Sequence, residues 1–309
     1  MKRVILFLLL ILYLEGSTLP IERFNLSLHN DEEGVRPVFT LPLYSTQDFI
    51  TTLAYESGKS SKINTVNDSI SETSFRNKNI YNTLTFDMLK NSKIDSNTYY
   101  SWGLSGRYQS NEIIQNGNSN IVASNETVKL DSTTNSTLYE LGLHADITTK
   151  NYFEGFHVRS GVTLFPLIYS TVEESKSFTP IIAEKGHISS SKAQSLQYSL
   201  FLTMQAKIIE SVSLLLDLKY HYLPMEVAAL GIGQNGAALF FTESSYQSNA
   251  ILTQSKLKFL FHNVEVYGVL PSLGIEYKTQ DLDVKNSDDT TNKSSVKQTV
   301  LTFGFDKIF

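Results

Sequence analysis

Cysteine is absent from the 309 residues of this sequence. The chain therefore cannot form the disulfide bonds that secreted eukaryotic domains of this size usually carry. It also cannot be acylated as a lipoprotein, since that modification needs a cysteine after the cleavage site. The absence fits a bacterial envelope protein, so the Asn-x-Ser/Thr matches at Asn67, Asn125 and Asn135 are interpreted as chance rather than as glycosylation sites.

An excess of positive charge is also lacking. Lysine and arginine together number 26 against 31 aspartates and glutamates, and the formal net charge is -5. Proteins that bind nucleic acid usually carry a basic patch or a basic excess. The composition therefore predicts no nucleic-acid partner.

Long apolar runs are missing everywhere except at the N-terminus. There Lys2 and Arg3 precede the apolar residues 4–14, and small residues follow at 16–18. This layout predicts a secretory signal peptide over 1–17, because the run is too short for a spanning helix; the alternative is an N-terminal anchor. No later run approaches the ~20 residues that a spanning helix needs. Membrane insertion would therefore require strands, which survive in lipid only as a closed barrel.

What the chain does have is alternation of apolar and polar residues. Leu196 to Ile208 and Val212 to Tyr222 alternate with period two, and residues 209–211 between them form a short turn. The same pattern predicts strands at about 46–57, 77–90, 97–110, 135–147, 154–172, 193–208, 212–224, 250–262, 265–280 and 295–309. Short connections alternate with long ones near 58–76, 111–134, 173–192, 225–249 and 281–294, as in outer-membrane barrels.

The last strand carries a more specific pattern. Thr299, Leu301, Phe303, Phe305, Lys307 and Phe309 share one face, and the chain ends at that phenylalanine. An amphipathic strand with an aromatic C-terminus resembles the assembly signal of bacterial outer-membrane β-barrels, with Phe303, Phe305 and Phe309 as its signal residues. The resemblance implies a Gram-negative outer membrane, and as partners its lipid and lipopolysaccharide, the barrel assembly machinery and periplasmic chaperones. It implies no cofactor.

These patterns predict an all-β fold, an antiparallel transmembrane up-and-down β-barrel of about ten strands, with eight or twelve as alternatives. Residues 1–17 are the signal peptide, 18–45 a periplasmic lead-in and 46–309 the barrel with long extracellular loops. Residues 36–45 could instead be an extra strand, but Pro37 and Pro42 favour the lead-in. A soluble β-protein would alternate too; strands of 12 to 16 residues and aromatics near strand ends favour the membrane form.

Ionisable residues fall on the faces that would line the lumen. The pore candidates are Glu140, His144, Asp146, His157, Arg159, Lys207, Asp217, Lys219 and His221, accompanied by Glu56, Asp87, Arg107, Lys256, Lys258 and Glu276. Paired residues in 135–172 should have numbers that sum to 301 or 303, which would place His144 opposite His157 or Arg159 with Asp146 nearby. We expect these side chains to form a hydrogen-bonded network of paired charges in the lumen. The alternative is a more specific function, a proton-sensitive gate or a catalytic His/Asp set.

One predicted loop differs from the others because it is apolar. Gly231, Gly233 and Gly236 lie in residues 227–241 and spell G-x-G-x-x-G, but no βαβ unit surrounds them. We interpret them as loop glycines rather than as a dinucleotide site. The loop could fold into the barrel mouth, touch the membrane or bind a partner, or residues 237–241 could simply extend a strand.

The function that this architecture predicts is a porin-like narrow pore for small solutes. The alternatives are a surface adhesin or structural barrel that binds a ligand through its outer loops, and an omptin-like hydrolase. We expect no enzyme, because the Asp-x-His arrangement of omptins and the Ser-His pattern of outer-membrane phospholipase are not evident. No metal site is predicted either, since spacings such as H-E-x-x-H are absent.

Overall fold

The computed structural model describes residues 24–31, 34–45, 48–67, 71–121, 126–153, 155–179, 183–193, 196–235, 238–264, 269–285 and 291–307. Nearly all of them lie in strands, and the one other element is a short 3-10 turn at His262–Val264. In these ranges no helix is long and apolar enough to cross a membrane. The predicted signal peptide lies outside the described residues.

The strands are numbered here in chain order, with one strand formed by two segments. They are β1 Phe24–Asp31, β2 Gly34–Ser45, β3 Phe49–Asn67, β4 Ser71–Lys93, β5 Thr98–Ile121, β6 Glu126–Phe153, β7 Phe156–Thr179, β8 Ala183–Ala193 with Gln197–Ile209, β9 Val212–Asn235, β10 Ala238–Phe261, β11 Leu270–Lys285 and β12 Thr291–Lys307.

Every strand pairs antiparallel with the next one, and the last pairs with the first. Leu28 of β1 lies opposite Phe303 of β12, which closes the sheet on itself. Both segments of β8 pair with β7 on one side and with β9 on the other, so they count as one strand. The prediction of an all-β antiparallel barrel is confirmed. The best count of ten strands is wrong, and the alternative of twelve is right.

The alternation of the sequence sorts side chains between the two faces of the barrel wall. In β12 the odd-numbered Leu301, Phe303 and Phe305 point outward, and Phe303 is 56% exposed; Val300 and Thr302 point inward and are buried. The same outward belt of apolar side chains continues around the barrel at Phe86, Met88, Trp102, Leu104, Leu141, Leu143, Ile147, Leu164, Leu200, Leu257, Phe259, Leu273 and Ile275. Apolar side chains outside and polar ones inside is the pattern of a membrane-spanning barrel, the reverse of a soluble one.

Residues 24–45 differ from the expected periplasmic lead-in. They form β1 and β2, a hairpin that pairs from Asp31 with Gly34 down to Asn25 with Thr40 and completes the barrel wall. The prolines that argued against a strand are accommodated: Pro37 lies opposite Leu28, and the β2–β3 register shifts between Pro42 and Tyr44. A bulge of this kind tolerates the missing N–H of proline.

The five predicted long loops also differ, since most of their residues continue the strands. Pairing extends to Asn67 with Glu72, Ile121 with Glu126, Phe178 with Ala183, Asn235 with Ala238 and Lys285 with Thr291. Apolar alternation stops where both faces of a strand meet water, although the backbone hydrogen bonds go on. The alternating pattern therefore indicated only the part of each strand that lies in the apolar belt, and not the full length of the strand.

The opposite end of the barrel, here called the short-turn end, has the brief connections predicted near 91–96, 148–153 and 209–211, but the one predicted at 263–264 is longer and runs from Phe261 to Leu270. In one of them the Asp95 carboxylate accepts the backbone N–H groups of Asn97 and Thr98, each at 2.8 Å. These hydrogen bonds to the charged form hold the pKa of Asp95 below its ordinary value. Another turn contains Gly155 with a φ of 73°, a conformation that glycine adopts without steric cost.

Candidate functional site in the lumen

The inward faces of the strands bring charged side chains into the lumen. Closest to the short-turn end, Lys258 of β10 donates from Nζ to both carboxylate oxygens of Asp306 in β12, each at 2.8 Å, and the two side chains are only 1% and 2% exposed. The Lys258 side chain lies across β11 at Gly274, where an added Cβ would come within 2.6 Å of its Cγ. Glycine therefore makes the room that this ion pair needs. Asn25 also donates to Asp306, at 2.5 Å.

Apolar side chains line one side of the lumen beside this ion pair, on the neighbouring strands β9, β10 and β11. Leu215, Leu260 and Leu270 are buried against one another. Leu215 lies directly opposite Lys258 in the β9–β10 pairing. On this side of the short-turn end, an apolar cluster and a fully buried ion pair therefore lie next to each other.

One row of adjacent strand partners carries charges of alternating sign, with one threonine among them, across five of the twelve strands. Glu276 lies opposite Lys256, Lys256 opposite Asp217, Asp217 opposite Thr203, and Thr203 opposite Arg159, across β11 to β7. Lys256 Nζ is 3.7 Å from Glu276 Oε2, and the Thr203 hydroxyl donates to Asp217 at 2.9 Å. Buried charges are stable only when paired in this way.

Arg159 connects that row to a histidine on β6. Its Nη2 donates to Asp146 Oδ2 at 2.8 Å, and His144 Nε2 lies 2.8 Å from the same oxygen. His144 Nδ1 is 2.8 Å from the Thr163 hydroxyl. The ring of Phe201 stacks on His144 at 5.7 Å between centroids, and the Arg159 guanidinium lies 4.9 Å from the same ring. These contacts with the Phe201 ring hold the two groups beside Asp146.

A second set of contacts links a pair of residues on neighbouring strands to a histidine on a strand farther around the barrel. Arg107 of β5 donates to Glu140 of β6, and His221 of β9 lies 3.1 Å from Arg107 Nη2 and 3.2 Å from Glu140 Oε1. Because β7 and β8 separate Glu140 from His221 in the wall, this contact crosses the lumen. Phe165 packs edge-on against His221 at 5.4 Å.

Another contact crosses the lumen on the opposite side. Lys278 of β11 donates to Glu56 of β3, although β12, β1 and β2 lie between these strands. The Tyr81 hydroxyl donates to Glu56 at 3.2 Å, and Lys278 Nζ is 3.3 Å from Glu276 Oε1. His29 of β1 adds a contact to Glu276, at 3.4 Å. We call the Arg107–Glu140–His221 and Lys278–Glu56 contacts the cross-lumen bridges.

Solvent nevertheless reaches part of this charged region. Lys219 lies on the inward face of β9 between Asp217 and His221, and its side chain is 50% exposed. Its Nζ is 3.7 Å from Asp217. Space for water therefore remains in the lumen beside the cross-lumen bridges.

The structure brings most of the predicted pore residues together. Glu140, His144, Asp146, Arg159, Asp217, Lys219 and His221 all belong to the networks above. Lys207 does not: it is exposed at the rim, where its N–H donates to the Gly155 carbonyl at 2.9 Å. His157 lies near the same rim on β7, partly buried and opposite Gln205.

The predicted register of the 135–172 hairpin is wrong. His144 lies opposite Thr163, so the numbers sum to 307 rather than 301 or 303. Phe153 lies opposite Phe156, so the turn comes later in the chain than expected. The register also shifts between Leu141 and Leu143. Arg159 nevertheless contacts Asp146, as expected, because its long side chain reaches diagonally across the β6–β7 strand pair.

Sequence reasoning missed several members of the networks. His29 was missed because residues 18–45 were predicted to be a periplasmic lead-in. The sequence did contain a signal, since Leu26 and Leu28 alternate with Ser27 and His29. Lys278 lies on the same face of its strand as Glu276, and Asp306 lies on the same face as Thr302. The alternation of the sequence alone could therefore have placed both in the lumen. Nothing in the sequence indicated that Lys278 meets Glu56, 222 positions away.

The predicted glycine loop is not a loop in the structure. Gly231 lies opposite Thr242 and Gly233 opposite Phe240 within the β9–β10 pairing, while Gly236 lies outside the described residues. The alternative that this segment extends a strand is therefore the correct one. Of the predicted assembly signal, Phe303 and Phe305 face outward, and Phe309 lies outside the described residues; its role in assembly stays a prediction.

In the ranges that the structure describes, no group of three or more His, Asp or Glu side chains could hold a metal ion. A closed antiparallel barrel of twelve strands, apolar outside and charged inside, leaves one architecture. It is that of a transmembrane β-barrel, the architecture found in bacterial outer-membrane β-barrels.

No family model matches the chain, and no curated protein matches it. Solved structures of similar fold include the toluene transporter TodX of P. putida, at 10% identity over 96% of this chain and 91% of that one with a TM-score of 0.43. They also include the outer membrane protease OmpT of Escherichia coli, at 10% identity over 96% and 99% with a TM-score of 0.34. These similar folds belong to a transporter and a protease, so the similarity of fold does not indicate the activity of this chain.

Proposed function

We propose that this protein lets small hydrophilic solutes pass through a narrow, charged lumen after export to the outer membrane by its signal peptide. One observation carries the proposal: a half-exposed lysine, Lys219, faces inward next to contacts that cross the lumen. A filled structural barrel would have no solvent there. A wide pore would have no bridges there.

The cross-lumen bridges make the passage a gated one. Side chains on non-neighbouring strands can separate by rotamer changes alone, without breaking any strand pairing. Charged groups that part also regain hydration, which offsets the lost attraction. Transient opening of Glu140 from His221, or of Lys278 from Glu56, would therefore admit a solute with the wall unchanged.

The test is single-channel current in planar bilayers with refolded mature protein. We expect brief, low-conductance steps from the natural chain. Glu140→Gln should lengthen or enlarge them, because the neutral amide holds Arg107 and His221 less firmly. Lys219→Gln should shift selectivity toward cations, since it removes a positive charge from the lumen. Lys207→Gln is the matched control at the rim and should leave selectivity unchanged.

Each variant must first show heat-modifiable migration on gels, which reports a folded barrel. The proposal would be contradicted if neither the folded natural protein nor the folded Glu140→Gln variant gave any current. An equal selectivity shift in Lys207→Gln and Lys219→Gln would mean that lumen charge does not govern passage.

The outer strands favour surface binding as a second candidate. Outward aromatics of the belt end near Tyr108 and Tyr139, yet β5 continues to Ile121, which at ~3.3 Å per residue is roughly 40 Å farther along the strand. The β5–β6 hairpin, whose residues 109–121 are mostly polar, thus extends far beyond the belt. A catalytic role has less support, because His144 and Asp146 are buried, whereas an omptin-like site would lie open at the rim.

A further inference from the structure

The charged networks of the lumen bury their acids and leave their bases in contact with solvent. The acids whose side chains have an exposure of 0% are Glu140, Asp146 and Glu276. The cations that contact these acids are partly exposed, Arg107 at 19%, Arg159 at 16% and Lys278 at 21%. Solvent in this part of the lumen therefore meets positive groups, although each of them has an acidic partner behind it.

Side-chain length accounts for this arrangement. On the inward face of a strand, aspartate and glutamate hold their charge close to the wall, whereas lysine and arginine have longer stems and keep the charged head in water. A carboxylate near the wall is stable because such a cation covers it. The positive end of each of these ion pairs therefore points into the lumen.

Two other acids of the networks, Glu56 and Asp217, are partly exposed, and each of them lies beside a lysine. Lys278 donates to Glu56. Lys219 Nζ is 3.7 Å from Asp217, and the lysine side chain is 50% exposed where that of the aspartate is 15% exposed. Lys219 is therefore the charged group of these networks that a solute can reach most easily.

Asp87 of β4 lies on the far side of the lumen from Lys219, since β4 and β9 are five strands apart in a ring of twelve. It faces inward between the outward Phe86 and Met88. Its carboxylate accepts hydrogen bonds from the Ser105 hydroxyl at 2.6 Å and from the Thr52 hydroxyl at 3.2 Å. Neutral donors do not cancel a charge, so Asp87 adds a negative group that opposes the effect of Lys219.

We infer that the solutes for which this lumen is selective are small carboxylate anions, and that Lys219 is the residue that binds them. Positive groups inside low-dielectric walls raise the local concentration of anions. A lysine ammonium also has three donors, and carboxylate oxygens accept such charge-assisted hydrogen bonds. The inference rests on the proposed passage of solutes and names the chemical class of the solute.

The test separates passage from selectivity, with refolded mature protein in planar bilayers. Current in symmetric potassium chloride reports passage alone. The reversal potential across a gradient of potassium glycolate then reports which ion crosses more easily, at low ionic strength where charges are screened least. We expect the sign of an anion-selective pore. The opposite sign, or no preference, would overturn the inference and leave the proposed passage standing, whereas absence of all current would overturn both.

Variants of lumen residues complete the test. Lys219→Gln should lower the permeability ratio of glycolate to potassium by about 5-fold, which corresponds to ~1 kcal/mol. Asp87→Asn should raise the same ratio, because it removes a negative charge from the same lumen. Lys207→Gln at the rim is the matched control and should leave the ratio unchanged.

Each variant must first show the heat-modifiable migration of a folded barrel. An unchanged ratio in folded Lys219→Gln would overturn the assignment of Lys219 as the residue that binds the anion. A lower ratio in folded Asp87→Asn would show that the charge of the lumen does not set the selectivity, and would overturn the inference as a whole.

Discussion

Lys258 and Asp306 show what a buried ion pair does for this barrel. Both side chains are almost fully removed from solvent. We expect Lys258→Met to destabilise the folded barrel by about 3–5 kcal/mol, because it leaves the Asp306 carboxylate buried without its cation. Adding Asp306→Asn should recover most of that loss, since Asn25 can still donate to the amide oxygen. Guanidinium unfolding in lipid vesicles measures both.

An exposed pair of the same length is the control for this prediction. Lys129 Nζ and Asp131 Oδ2 are 2.7 Å apart, but the two side chains are 61% and 38% exposed. Lys129→Met should change stability by less than ~1 kcal/mol. Comparable losses in the two lysine variants would show that burial does not decide the strength of these pairs.

At the scale of elements, the close pairing of β4 and β5 depends on a residue without a side chain. A Cβ added at Gly103 would lie 1.9 Å from the backbone oxygen of Met88. Gly103→Ala should therefore push the two strands apart and cost about 1–3 kcal/mol or more, as overpacking does. The measurement is the yield of heat-modifiable barrel after refolding, together with its unfolding midpoint.

Gly106 on the same strand is the matched control. An added Cβ there has its nearest neighbours at 3.8–4.0 Å, which is ordinary contact. We expect Gly106→Ala to refold like the natural chain. Equally efficient refolding of Gly103→Ala would contradict the close approach of β4 and β5 at this position.

For the whole molecule, the outward apolar belt decides where the barrel sits. Phe303→Arg should reduce insertion into lipid vesicles, since a cationic side chain on the lipid face costs about 2–4 kcal/mol near the bilayer midplane. Thr299→Arg, also outward but beyond the belt, should insert normally. Both can be read from the fraction of protein that resists protease after addition to vesicles. Equal insertion of the two would contradict the membrane orientation derived from the belt.

The sequence by itself determined the fold class, the sorting of residues between lipid and lumen, and most of the charged residues inside. Those properties follow from a period of two, which any strand imposes on its side chains. Glu140, His144, Asp146, Asp217 and His221 could be assigned inward because local alternation is enough for parity.

Tertiary structure decided the strand count, the register and the contacts across the lumen. Alternation vanishes where a strand has water on both faces, so it could not show how far β5 extends. It was also too short in β1 and β2 to be separated from a lead-in. Lys278 meets Glu56, and Arg107 meets His221, only because twelve strands close into one ring, and closure is a property of the whole chain rather than of any segment.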